Sequence, residues 1–134
     1  MNHEKVEAGK LYHERCDSCE ETQPALKFYL DFEDPLKVIE RHTKCGEYVW
    51  DFSIALHGYH GVVRDLTPIV RGCSSHSNYH VHWWEYLYPK RKKVPKSKGV
   101  LDNEEQADRA YHEARVSIID RAFQRREEWR PGKH

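Results

Sequence analysis

The residues best equipped for chemistry are four cysteines and ten histidines in a chain of 134. Cys16 and Cys19 form a C-x-x-C pair, and His42 and Cys45 form an H-x-x-C pair followed by Gly46. Two ligand pairs on tight turns, brought together by the chain returning between them, supply the tetrahedral thiolate and imidazole set that Zn²⁺ prefers. Disulfides are the competing use of four thiols. The opening MNHEKVEAGK has no apolar run like that of a signal peptide, so a cytoplasmic, intracellular and reducing setting is expected, where metal ligation is the better reading. Zn²⁺ is the expected cofactor, held by Cys16, Cys19, His42 and Cys45.

This spacing resembles the zinc-ribbon family, with its C-x-x-C, a β-hairpin of variable length, and a second ligand pair followed by glycine. The resemblance covers about residues 12–53. It departs in having His42 where that family most often has cysteine, and Glu20 where glycine follows the first pair. Cys₃His remains an accepted zinc set. The resemblance implies a structural clip serving nucleic-acid or protein contacts rather than a catalytic metal.

Histidine also clusters further along, with six of the ten between His42 and His82. His57-x-x-His60 and Cys73-x-x-His76 echo the ligand spacing, and His80-x-His82 projects two rings from one face of a strand. A second metal could draw on His57, His60, Cys73 and His76, or on Cys73 with the His80/His82 face. A third arrangement resembles the His-metal-finger (HNH-like) endonucleases. It gives His82 the role of general base, Asn103 the role of orienting it, and His80 and His112 the metal. Val81 stands where that family usually places a metal-binding Asp or His.

The aromatic run Trp83, Trp84, Tyr86 and Tyr88 leads directly into Lys90, Arg91, Lys92, Lys93, Lys96 and Lys98. Cations beside exposed rings suit nucleic acid, neutralising phosphates while bases stack on the aromatic faces. An acidic protein partner would meet the same lysines. Trp83, Trp84, Tyr86 and the six cations are therefore the candidate contact surface. The leading reading is a non-enzymatic, zinc-stabilised nucleic-acid-binding or adaptor protein, and the endonuclease is the alternative.

The elements that must position these groups read as an α+β chain. Leu26, Phe28, Leu30 and Phe32 alternate with polar residues, Asp34-Pro35 supplies a turn, and Leu36–Glu40 resumes the extended pattern. Glu47–Phe52 is aromatic and β-branched enough for a third strand. These strands predict a small antiparallel unit over residues 12–53. A His-rich and aromatic β segment covers 54–89, with loops and one or two short strands before a clear strand from Tyr79 to Tyr88. Residues 90–100 read as an exposed basic loop. A long helix spans 101–130, its apolar residues recurring at three- and four-residue steps from Ala107 to Phe123, with Asp102 as the expected N-cap and Pro131-Gly132 as its stop.

Composition sets the limits. A single domain of 1–134 is expected, because separate cores usually need about 100 residues each. Only 38% of residues are hydrophobic and 33% are charged, so something besides core burial is expected to help hold the fold. No apolar stretch approaches the roughly 18 residues of a membrane span, and no membrane partner is expected. Net charge is zero, but residues 54–100 carry eight bases and two acids while the first 53 carry seven and twelve. No nucleotide-binding loop, nucleophile elbow or dinucleotide fingerprint is present.

Overall fold

The computed structural model describes residues 7–131 apart from Tyr12 and Arg15. Its framework is a seven-stranded antiparallel sheet with helices on one face, an α+β arrangement. The strands are β1 (Cys19–Glu21), β2 (Leu26–Asp31), β3 (Leu36–Cys45), β4 (Tyr48–His60), β5 (Asp65–Cys73), β6 (Asn78–Trp83) and β7 (Lys96–Val100). β3 to β7 pair in sequence order, while β1 and β2 pair side by side along β3. The expected three-stranded unit is therefore present, yet it runs into the same sheet as the rest instead of forming a separate body. Its expected start at Tyr12 lies outside the described residues.

The two-residue period of β3 and β4 explains the layering. Leu36, Val38 and Glu40 on β3 and Phe52, Ile54, Leu56 and Gly58 on β4 are buried, and the residues between them are only half-buried. Helix α1 (Glu104–Arg115) covers the buried side with Ala107, Ala110, Tyr111 and Ala114. Small alanines let the helix approach closely, and a Cβ on Gly72 would stand 3.1 Å from Ile118 Cδ1. A π-type stretch, Val116–Asp120, re-aims the chain before helix α2 (Ala122–Trp129). The expected single long helix is thus two helices. Its N-cap is Asn103, whose side chain accepts from Gln106 N–H at 2.9 Å. Asp102 is engaged by Lys10 instead. Gly132 of the expected helix stop lies outside the described residues.

Residues 54–73 depart most from the expected loops and one or two short strands, forming the second half of β4 and all of β5 on either side of a turn at 61–64. Gly58 and Pro68 sit beside a register shift between Leu56 and His57, where a bulge accommodates a residue without an N–H. At the far end β6 stops at Trp83, five residues sooner than expected, and Trp84 keeps only an isolated bridge to Lys92. The basic segment is not wholly a loop, because Lys96–Val100 pairs with β6 as the sheet edge. No described helix is long and apolar enough to cross a membrane.

Candidate metal centre and the open sheet face

Cys16, Cys19 and Cys45 converge as their spacing predicts. Cys19 N–H donates to Cys16 O at 3.0 Å, closing a tight turn, and Cys19 pairs with Cys45 across β1 and β3. Gly46, at φ +61°, turns the chain from β3 into β4. Cys16 Sγ lies 3.7 Å from Cys19 Sγ and 3.5 Å from Cys45 Sγ, far beyond a bonded pair, and all three thiols are free.

The fourth donor is His13 and not the expected His42. One donor atom each from His13, Cys16, Cys19 and Cys45 lies within 4.8 Å of the others, close enough to hold a metal ion. His13 Nε2 is 3.2 Å from Cys19 Sγ, while Nδ1–H donates to Glu104 Oε1 at 2.7 Å. A carboxylate on the far nitrogen fixes the tautomer that leaves Nε2 free for a metal. Trp50 stacks on the ring at 4.5 Å between centroids. The segment bearing His13 is tied down by Leu11 N–H to Leu101 O and Ser77 Oγ to Leu11 O.

His42 faces the other way because it alternates with Glu40 on the side of β3 that α1 covers. Its Nδ1–H donates to Glu40 Oε2 at 2.9 Å, and Tyr111 O–H donates to the same oxygen at 2.6 Å. Arg115 pairs with the other carboxylate oxygen, so a buried Glu40 organises this corner of the core. The missed ligand had a visible signal: His13-x-x-Cys16-x-x-Cys19 is a continuous series of metal-ligand spacings.

Protonation at the cluster is strongly perturbed. The Cys16 N–H directed at Cys19 Sγ outweighs burial and brings the Cys19 thiol down to about 7. Cys45, beside Cys16 and Cys19, is pushed up to about 12. Burial opposes the His13 imidazolium, but Glu104 and Cys19 outweigh it and raise its pKa. Adjacent thiolates repel, and a divalent cation is the group whose charge lets them coexist.

The second histidine cluster resolves into parts. Cys73, His80 and His82 come within 4.8 Å of one another on the sheet face turned away from the helices. Burial pushes the Cys73 thiol up, yet hydrogen bonds with His80 and His82 outweigh it and bring it down to about 5. The other expected ligands do not join. His60 accepts from Val62 and Val63 N–H and donates to Tyr86 O at 2.8 Å, stacked on Tyr86. Burial, then Lys37, lowers the pKa of His57. His76 sits in a short 3₁₀ turn (Ser75–Ser77) with φ +60°.

The endonuclease set is not brought together. Asn103 caps α1, and His112 is an exposed ring on α1, 3.5 Å from Asp108. Both belong to the helical layer, on the other side of the sheet from His80 and His82.

The aromatic and basic surface divides likewise. Trp83 and Tyr86 turn to the helix side, Trp83 under Arg125 and Tyr86 against Trp129, lining a cleft of about 570 Å³. Trp84 turns to the open face, with Arg71 and Lys92 at 5.8 and 5.9 Å from its ring. Arg91 pairs with Glu85 and lies over Tyr88. Lys90 and Lys93 remain on the exposed connection to β7, and Lys96 and Lys98 lie on that edge strand. No family model, curated protein or solved structure matches the chain.

Proposed function

We propose that this is a non-enzymatic, zinc-clamped protein that binds single-stranded nucleic acid on the sheet face turned away from its helices. Cys16, Cys19, Cys45 and His13 would hold the ion. Four protein donors leave no position for a substrate water, which favours a structural clip over a catalytic metal.

The observation that carries the binding reading is the make-up of the open face. Its residues follow from the strand register: Lys27 and Tyr29 on β2, Lys37 and Arg41 on β3, Arg71 on β5, and Trp84 beyond β6. Lys37 lies over the Tyr29 ring at 5.9 Å, and Arg71 and Lys92 flank Trp84. Rings accept unpaired bases and the neighbouring cations neutralise phosphates, with little demand on base identity. By register, Asp51 and Glu21 are acids on this face, and Arg41 pairs with Asp51 at 3.0 Å.

Fluorescence anisotropy with labelled single-stranded DNA and RNA oligonucleotides tests this directly. Four engaged cations predict a log-log salt slope of about −3. Trp84→Ala should weaken binding by about 1–3 kcal/mol, the range for one stacked base. Arg109→Ala, on α1 across the sheet from that face, should leave affinity nearly unchanged. Absence of binding, or affinity indifferent to both salt and Trp84, overturns the proposal.

A further inference from the structure

The Cys73, His80 and His82 group is separate from the clamp; it adjoins the proposed binding surface, with His82 opposite Arg71 and its ring 6.4 Å from that of Trp84, but supplies that surface with no lysine, arginine or exposed aromatic ring. It is built by strand register. Cys73 stands directly opposite His80 across β5 and β6, and His82 follows two residues on, so all three project from one face. They are deeply buried, with relative exposures of 5%, 4% and 8%. Burying one thiol and two imidazoles together is costly unless each finds a partner.

Their hydrogen bonding already has the form of a ligand set. His80 Nδ1–H donates to Asn78 O at 2.9 Å, which leaves Nε2 unprotonated in the neutral ring and 3.2 Å from Cys73 Sγ. A backbone carbonyl on the far nitrogen is a common way to orient a metal-binding histidine. His82 also bonds the Cys73 thiol, but its Nδ1 is buried with no hydrogen-bond partner among the described residues. Ser75 Oγ–H points at Cys73 Sγ from 3.8 Å. A nucleophilic cysteine beside a histidine would need access for its substrate, and a thiol only 5% exposed offers little. Metal ligation needs no such access once the ion is seated.

We infer that Cys73, His80 and His82 form a second metal site, taking a zinc-class divalent cation through one thiolate and two imidazoles. Three protein donors leave the fourth tetrahedral position to a small exchangeable ligand such as water. The site differs from the Cys₃His clamp in thiolate number, which makes the two separable by experiment.

The test is metal stoichiometry and Co²⁺ spectroscopy on the full chain, after chelation and reloading with Zn²⁺ or Co²⁺ under reducing conditions. The wild type should take up two equivalents, with overlapping one-thiolate and three-thiolate charge-transfer bands. Cys73→Ala and His82→Asn should each take up one, and keep only the three-thiolate signature. Cys16→Ser/Cys19→Ser should also lose one equivalent but retain the one-thiolate band, so failure of the clamp is distinguishable from failure of this site. Should Cys73→Ala not fold, His82→Asn and the wild-type stoichiometry decide the matter. One equivalent in the wild type, undiminished by His82→Asn, overturns the inference.

Discussion

Alternation along β3 turns the His42 ring toward Glu40 and Tyr111, into the buried corner under α1 and away from the thiols, although it stands only three residues from Cys45 and spacing makes it the expected fourth ligand. His13 reaches the thiols because Glu104, 91 residues later, holds its far nitrogen. The two assignments predict opposite results. His13→Ala should abolish stoichiometric metal at the clamp, whereas His42→Ala should keep the metal and reduce stability through the Glu40 network. Glu104→Gln should preserve binding but weaken it about 10–100-fold, the usual effect of removing a carboxylate behind a metal-binding histidine. Competition with a chromophoric chelator measures all three. Metal retained by His13→Ala and lost by His42→Ala would restore the spacing-based assignment.

At the level of elements, the clamp depends on a strap that has no regular structure of its own. Residues 7–11 are fixed by Gly9 N–H to His76 O, Leu11 N–H to Leu101 O and Lys10 N–H to Asp102 Oδ1. Gly9 permits this contact. A Cβ there would stand 2.1 Å from Ser77 O and 2.3 Å from Leu101 O, both backbone atoms that cannot rotate away. Gly9→Ala should therefore displace the strap and lower metal affinity, although no ligand is altered; the same chelator competition reads it, and an unchanged affinity would refute the strap's role. Long-range pinning of this kind is illegible in a sequence. What was legible is the strong local periodicity: β2, β3 and the alanine stripe of α1 all lie where alternation or helical spacing placed them. The second half of β4 and all of β5 were obscured because His57, Gly58, His60 and Pro68 break the apolar alternation. His60 is buried through hydrogen bonds to Val62, Val63 and Tyr86, which hydropathy does not register. The three cysteines of the clamp could be read from C-x-x-C and the glycine turn, but the choice between His13 and His42 required the fold.

For the molecule as a whole, the clamp at one end of β3 has a counterpart at the other. Where β2 turns into β3, Asp31 and Asp34 meet Arg126 and Arg130 from the C-terminal helix and the residue after it, with Arg126 Nη1 3.1 Å from Asp31 Oδ2 and Arg130 Nη2 2.7 Å from Asp34 Oδ1. A Cys₃His group close enough to hold a metal ion thus stands at one end and an ionic cluster at the other, which suits a chain with little apolar material. The ionic end has a predictable acid response. The Arg126 guanidinium, with Asp34 and Glu33 N–H, holds the Asp31 carboxyl below its ordinary 3.8 despite some burial. Because the folded value lies below the unfolded one, the stabilisation is complete above the unfolded value and is lost as pH falls through the folded one. Denaturant midpoints should therefore hold steady for this group at neutral pH and decline below about 4. Acid also protonates the metal ligands, so the wild-type curve alone mixes two effects. Comparison with Asp31→Asn separates them, because both proteins carry the same clamp. The variant should be less stable than the wild type at pH 7, and the gap should close as acid protonates Asp31 in the wild type. A gap constant from neutral pH to pH 3 would show that Asp31 does not gain its stabilising role from charge pairing with Arg126.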